Sequence, residues 1–465
     1  MINPHAKVVI LDGSEDAELL NAIADDSEVA KTIRQSGLGA EERAMLQALY
    51  SRSPKSVIEH LRKVVKSGAG CFMEQFYIQY GHKSIGDCGF ITIFVEGCSM
   101  LVAKALQDTR LYNGQEASTR YLNFSVVPFL NPLETNEGQK IIDTWRSFYE
   151  RGTNNTELRG NLKQRFPKQA DENDKTYERA ISARTFDIMR GFLPFSATTF
   201  VAWTTNLRQA ADRLEILRHH PLAEIREVVE LIFDNLRKRY PKSFSHKIRP
   251  EQNAYWEKVN ESVYYQPAYD PGFSFQHLIC QRDLNRYANL FANRPNHADL
   301  PNFLESLGQI HITFMLDGGS WRDLQRHRAC IIRVPLFETK WGFYPWYLEQ
   351  LTPILKEEAE NIINLQIKRI NNLDADPITK QYYLAMGFSA PMRIVGGLPA
   401  IVYLLELRCS KTVHPTLRQR AQEMAKAFIT AFPIIKIYAD LNPHDWDIKR
   451  GTQTITDADG RAISD

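Results

Sequence analysis

The sequence lacks the marks of a membrane, secreted or nucleic-acid-coating protein. No stretch reaches the ~18 consecutive apolar residues of a membrane span. Residues 1–7 lack the apolar core of a signal peptide. Charge of one sign is missing too: 57 Lys and Arg stand against 55 Asp and Glu, a formal net charge of +2. That balance excludes a generally basic nucleic-acid coat and an acidic solvating tail, and leaves room for local basic sites. Cysteine is sparse. The six (Cys71, Cys88, Cys98, Cys280, Cys330, Cys409) are scattered and form no Cys-x-x-Cys pair. Neither a disulfide frame nor a structural zinc site is expected, and a reducing cytoplasm is the default location. What the chain does have is apolar material, 43% of its 465 residues, enough for two or three folded domains.

Patterning along the chain is mostly helical. Ser14 precedes an apolar-periodic run through Leu19, Leu20 and Ile23, and residues 41–50 and 55–66 continue it. Residues 90–96 (FITIFVE) are β-branched and aromatic and read as a strand. Residues 100–107 read as a helix, and 133–187 as long polar helices around a loop near 171–174. After the turn signal at Gly191 to Pro194, residues 196–239 read as one long helical stretch. Residues 241–273 show no period, and 246–273 is taken as a linker. A second helical series is expected over 275–307, a strand over 310–316 (IHITFML), and helices over 347–372 and 416–431. The residues beyond Arg450 are small and polar, a loose tail.

The two halves echo each other. Asp87 and Arg110 are 23 residues apart, as are Glu305 and Arg328. Each interval holds a strand-like run and then a short helix ending Leu-Gln. Further on, Leu217-Arg218 is followed by His220-Pro221, and Leu407-Arg408 by His414-Pro415. This order predicts a duplicated unit of roughly 220 residues.

Three groups of residues carry chemistry. Glu116-Ala-Ser118-Thr-Arg120-Tyr121 packs an acceptor, a hydroxyl, a guanidinium and a phenol into six residues, which suits a phosphate or carbonyl ligand and equally a polar loop with a surface ion pair. Arg326-His327-Arg328 sets two cations around an imidazole, which suits an anion and equally a solvated helix end. Arg190, Arg208 and Arg218 recur beside turn and helix signals. His219 and His220 point to different helix faces with no carboxylate or Cys at ligand spacing, so no metal site is assigned.

The stretch from His82 to Tyr121 resembles the flavin-dependent thymidylate synthases. Their hallmark is Arg-His-Arg, a short spacer, then Glu-x-Ser-x-Arg-Tyr, with His-x-Ser/Thr-x-x-Glu upstream. Here stand His82-x-Ser84-x-x-Asp87, then Asp108-Thr109-Arg110, then Glu116-x-Ser118-x-Arg120-Tyr121. Downstream, Arg190-Gly-Phe-Leu193-Pro194, Asn206-Leu-Arg208 and Leu217-Arg218 look like the family's later elements, and the resemblance covers residues 8–245. The first half has lost the Arg-His of the hallmark. The second keeps Arg326-His327-Arg328 but replaces the Glu-x-Ser-x-Arg-Tyr segment, so each half lacks what the other retains.

The resemblance implies an α/β (α+β) fold in two tandem domains, each a sheet with packed long helices: 1–245, a linker at 246–273, 274–450, and a tail at 451–465. It implies C5-methylation of deoxyuridylate or a related uridine nucleotide, with FAD as cofactor and methylene-tetrahydrofolate and NADPH as co-substrates. Ser118, Arg120 and Arg218 would be catalytic. Glu116, Ser118, Arg120, Arg190 and Arg218 would hold the nucleotide. His82, Ser84, Asp87, Asn206, Arg208, Arg326, His327 and Arg328 would serve the cofactor. The expected assembly is a homodimer mimicking a four-domain tetramer, with a small-molecule substrate and neither nucleic acid nor membrane as partner. The alternatives are a non-catalytic nucleotide- or flavin-binding pseudoenzyme and a variant pyrimidine one-carbon transferase.

Overall fold

The computed structural model describes residues 3–11, 39–50, 64, 83–244, 249–264 and 270–452. Among these, eight strands form two four-stranded sheets of the same topology, β1-β2-β4-β3 and β5-β6-β8-β7. In chain order the elements are β1 (Lys7–Leu11), α1 (Ala40–Tyr50), β2 (Phe90–Ser99), α2 (Met100–Gln107), β3 (Asn113–Glu116), α3 (Asn136–Thr153), α4 (Thr156–Arg165), α5 (Asp174–Met189), β4 (Thr198–Asn206), α6 (Leu207–Leu217), α7 (Ala223–Arg239) and α8 (Pro250–Tyr264). The second half continues with β5 (Ser274–His277), β6 (Ile310–Asp317), α9 (Gly318–Leu324), β7 (Ile331–Arg333), α10 (Pro353–Asn371), β8 (Ser389–Gly396), α11 (Leu398–Arg408) and α12 (Pro415–Ala431). The order strand, capped helix, strand, long helix, strand, helix, helix therefore occurs twice, and the fold is a duplicated α+β unit, as the resemblance implied.

The chain divides into two compact units, Met1–Glu116 with Thr199–Glu261, and Ala117–Thr198 with Ser262–Asp465. These units do not follow the repeats. The helical excursion α3–α5 of the first half packs with the whole second half.

The first unit holds the first sheet, α1, α2 and α6–α8. β1 runs antiparallel to β2 and β3 to β4. Near the end of β2, Gly97 has a φ of +68°, which allows the His5 carbonyl to approach where a Cβ would stand 2.3 Å from it. Ser99 then caps α2 through the Val102 N–H. The buried Glu224 accepts from Asn3 (2.7 Å) and from the Ser99 backbone (2.9 Å), tying α7 to the strand–helix corner.

In the second unit β6 pairs antiparallel with both β5 and β8, and β7 with β8. Asp317 caps α9 as Ser99 caps α2. Two chain segments at equivalent places in the repeats meet here around an antiparallel bridge between Pro194 and Ala385. Phe195 N–H donates to Leu384 O (3.0 Å) and Met386 N–H to Leu193 O (2.8 Å). Ser196 N–H donates to Tyr382 O (3.1 Å) and Gly387 N–H to Gly191 O (2.7 Å). The bonds form two reciprocal pairs, the mark of an isologous contact between like copies. The equivalent long helices follow suit: Gln366 of α10 donates to Ile141 O of α3 at 2.7 Å. Trp145, Phe192, Tyr383 and Phe388 fill the core beneath them, with Trp145 Nε1 donating to Tyr383 O (3.0 Å).

Several expectations are corrected. Residues 196–239 are not one helix: Thr198–Asn206 (TTFVAWTTN) is β4. The 275–307 series is strand β5, two short helices (Gln281–Asn285, Ala288–Asn293) and a 3-10 turn, with His297 at φ 65° breaking any helical run. Helix α8 occupies much of the aperiodic 246–273 stretch. The helical readings at 14–23 and 55–66, residue 64 apart, and the tail beyond 452 lie outside the described residues.

Candidate functional site

The expected site residues fall into both units. His82 lies outside the described residues, and the Ser84 side chain is not among the described side chains. The five others in the first unit make local pairs. Arg208 Nε donates to Asp87 at 2.7 Å, and Arg218 bonds Glu230 (2.6 Å) and Glu215 (3.3 Å) over the Phe233 ring. Asn206 is the N-cap of α6, accepting from Gln209 N–H at 2.9 Å. Glu116 is buried against Lys104 (2.9 Å) and Gln107 (3.0 Å).

The second unit holds Ser118, Arg120, Arg190, Arg326, His327 and Arg328. The loop carrying Ser118 and Arg120 is fixed by Arg322 of α9, which donates to Thr119 Oγ1 (3.1 Å) and Ala117 O (3.2 Å). Ser118 Oγ accepts from the Arg120 backbone at 3.3 Å. Arg120 then forks onto Asp187 of α5 (2.7 and 3.1 Å) and gives a third bond to Thr412 O (2.9 Å). Asp187 is fully buried and takes a second guanidinium, that of Arg450, through both oxygens. Arg450 also lies over the Tyr121 ring, 5.4 Å from its centroid. Burial alone would raise the Asp187 pKa. Arg120 and Arg450 hold it well below the usual range.

Arg190 closes the other side. It follows α5 and is 1% exposed, donating to Asp323 (3.2 Å) and Ser320 Oγ (2.9 Å) of α9. It reaches them because the start of α9 is Gly318-Gly319, and a Cβ on Gly319 would stand 3.0 Å from Arg190 Nε. That Nε is buried and has no hydrogen-bond partner among the described residues. Asp317 accepts from Ser320 N–H, Tyr347 OH and Thr416 OH (2.9, 2.7 and 2.6 Å), completing the wall.

Asp323 is the meeting point. Its side chain keeps 23% exposure. Desolvation works to raise its pKa, and Arg190, Arg120, Arg408 and Arg326 together push it below the usual carboxylate range. Two of those arginines come from the first half and two from the second. Arg408, the last residue of α11, donates through Nε to His327 Nε2 (2.6 Å) and through Nη2 to Asp323 O (2.6 Å). A guanidinium cannot accept, so the His327 proton sits on Nδ1. Burial and then Arg408 lower the His327 pKa well below its ordinary value, and the ring is neutral. The side chains of Arg326 and Arg328 are exposed, and Arg326 makes no side-chain hydrogen bond among the described residues. His414 is also neutral: its Nδ1 accepts from Thr416 N–H, its Nε2 donates to Asp187 O (3.0 Å), and burial and Arg190 depress its pKa. The equivalent His220 likewise accepts the Leu222 N–H at Nδ1 (3.1 Å), so the repeated His-Pro is a helix-start device.

The centre therefore holds five guanidiniums, Arg120, Arg190, Arg326, Arg408 and Arg450, around the carboxylates Asp187, Asp323 and Asp317, an excess of positive charge. Arg326 presents donors to solvent, and Arg190 keeps one buried donor unused. A donor set of this kind fits the phosphates of a flavin or a nucleotide. Among the described residues, no three His, Cys, Asp or Glu side chains gather as a metal would require. No helix there is long and apolar enough to cross a membrane. The sequence reading missed Asp187 and Arg450. The one signal for Asp187 was its place three residues before Arg190.

Fold and centre define a class, a tandemly duplicated α+β protein with an arginine-rich core site drawn from both halves. Residues 18–242 match the family described as thymidylate synthase complementing protein, that of the flavin-dependent thymidylate synthases, so the first half of the chain is similar to that family. Two curated relatives are similar along both halves. A UPF0159 protein of Chlamydia pneumoniae is 23% identical over 436 residues, covering 80% of each chain. A UPF0159 protein of Chlamydia muridarum is 24% identical over 435 residues with the same coverage.

Proposed function

We propose that the protein methylates C5 of deoxyuridylate, or of a closely related uridine nucleotide, using FAD, methylene-tetrahydrofolate and NADPH. The observation carrying this reading is the convergence on Asp323 of Arg120 and Arg190 from the first half with Arg326 and Arg408 from the second. Bound FAD would carry hydride between NADPH and the transferred one-carbon unit. The chain's own groups bind and orient. Arg326 and Arg328 hold flavin phosphates, and His327 acts by fixing Arg408 rather than by touching the cofactor. Ser118 and Arg120 take the nucleotide, and Arg190 offers its unused Nε to the phosphate. Arg218 is assigned to the uracil ring, and its partly exposed pairs with Glu230 and Glu215 are worth about 0–1 kcal/mol, little enough to exchange. His82, Ser84, Asp87, Asn206 and Arg208 keep their assignment to the flavin and folate side, and Glu116 to the nucleotide. The working assembly is a homodimer in the cytoplasm.

Arg120 is held by Asp187, and a buried carboxylate left alone is costly. Arg450 resolves this. It stays on Asp187 through both oxygens while Arg120 turns to a ligand, so the exchange never strands a buried charge.

The same engagement favours a second reading, a non-catalytic protein whose arginines only lock the unit: Arg120 and Arg190 each already hold internal acceptors. Purified protein separates the two. A yellow preparation whose NADPH oxidation depends on deoxyuridylate supports the enzyme. Colourless protein that takes up neither added FAD nor deoxyuridylate supports the lock.

A further inference from the structure

The outer face of the second sheet holds a second constellation, apart from the arginine centre. Strands β5, β6 and β8 set Ser274 opposite Thr313, Thr313 opposite Arg393, and Gln276 opposite His311. Burial alternates along β6: Ile310, Ile312 and Phe314 are buried, which places His311 and Thr313 on the other face. A cavity of about 360 Å³ opens there, lined by Asp270, Ser274, Gln276, His311, Thr313 and Arg393. That volume lies at the lower end of the ~300–1,000 Å³ usual for small-molecule sites.

The hydrogen bonding leaves this cleft one acceptor short. Arg393 Nη2 meets His311 Nδ1. A guanidinium only donates, so Nδ1 accepts and the ring proton resides on Nε2. His311 Nε2 is buried and has no partner among the described residues. A buried donor without an acceptor is unfavourable, and an acceptor atom from a ligand removes that penalty. Burial, with the neighbouring Arg393, lowers the His311 pKa, so the ring is a neutral donor at neutral pH. Among the described residues the first sheet has nothing comparable. Its β2 (FITIFVEGCS) and β4 (TTFVAWTTN) contain neither His nor Arg, and on its face Thr92 simply bonds Thr204 at 3.0 Å. The two copies share a topology, and among the described residues only the second carries this polar cleft.

We propose that this cleft binds a small hydroxylated anion. Its carboxylate or phosphate oxygens meet Arg393 and His311 Nε2, and its hydroxyls face Ser274, Thr313, Gln276 and the Asp270 carboxylate. The site stands independently of the nucleotide reading, since none of its residues belongs to the arginine centre.

Calorimetric titration of the full chain at neutral pH tests it, with glycerol 3-phosphate as the phosphate probe, malate as the carboxylate probe and glycerol as the uncharged control. One of the two anions should saturate a single site per chain, and glycerol should not. His311→Ala and Arg393→Met should each weaken that binding by about tenfold or more. Arg393→Lys should retain part of it, and Thr92→Ala in the first sheet should leave it unchanged. Melting curves identify any variant that has failed to fold, and Arg393→Lys then carries the comparison. Saturation by neither anion would overturn the proposal. So would binding that survives His311→Ala intact, or binding that is lost in Arg326→Ala instead, which would place the anion at the arginine centre.

Discussion

Arg218 and Arg408 stand at the ends of equivalent helices, and the two repeats treat them differently. Arg218 pairs with two partly exposed glutamates and lies over Phe233. Arg408 gives one nitrogen to a buried neutral imidazole and another to a backbone carbonyl, and takes its place among the cations around Asp323. The first unit leaves this arginine in an exchangeable, partly exposed pair, and the second builds its counterpart into a buried cluster of charge. The lesson is that duplication relaxes the demand on each copy. Once the α3–α5 excursion of the first half is packed with the second half, one unit can concentrate the arginines of both.

The contrast breaks most sharply at the carboxylates. Asp187→Ala would strand Arg120 and Arg450, and should destabilise the chain by about 3–5 kcal/mol in urea unfolding. Asp87→Ala, which removes the half-exposed partner of Arg208, should cost about 0–1 kcal/mol. Equal losses would erase the distinction between the units. Next comes the helix-end pair itself. Arg408→Ala leaves His327 Nε2 and Asp323 O without their donor and should cost about 1–3 kcal/mol. Arg218→Ala should change stability by under about 1 kcal/mol while lowering deoxyuridylate turnover.

Acid sharpens the comparison further. His220 in the first unit, and His327 and His414 in the second, all have pKa values well below the ordinary 6.5, set first by burial. The unfolded chain therefore takes up protons near pH 6.5 that the folded chain refuses, and stability falls as pH drops below that point. The slope is at most about 1.4 kcal/mol per pH unit for each histidine. Asp187 and Asp323 are depressed carboxylates, so their contribution is intact above about pH 4 and fades only below it. Between about pH 6.5 and 4 the three histidines act together, and Glu41, raised by burial, opposes them as a single group. Urea midpoints should fall across this interval, and His414→Gln, which keeps a donor toward Asp187 O, should flatten the slope. An unchanged slope would contradict buried neutral imidazoles. The last effect is on binding and concerns Arg450. Arg450→Ala should weaken deoxyuridylate binding by about tenfold, because Arg120 can no longer leave Asp187, and Asp187→Asn in the same chain should restore it.

Much of this was legible in the sequence, and the limits have physical causes. FITIFVE and IHITFML carry β-branched and aromatic residues in alternation, and both are central strands. The spacing of Asp87 to Arg110 and Glu305 to Arg328 marked a duplication that the sheet topology displays. Strand β4 was hidden because Thr198–Asn206 runs directly into α6 without a Gly or Pro break, so the helical period of its neighbour absorbed it. Asp187 looks like a polar position on an amphipathic helix until Arg120 and Arg450, 67 and 263 residues away, close on it. Arg450 stood at the edge of a polar tail and had no local pattern at all. Long-range ion pairs leave no periodic trace.

Calorimetry with FAD and deoxyuridylate on the Arg120→Ala and Arg326→Ala variants tests the central claim, one ligand centre divided between the two halves. Arg120→Ala should weaken deoxyuridylate at least about tenfold and leave FAD binding unchanged, and Arg326→Ala should weaken FAD and spare the nucleotide. If both substitutions weakened the same ligand equally, the division of labour would be contradicted.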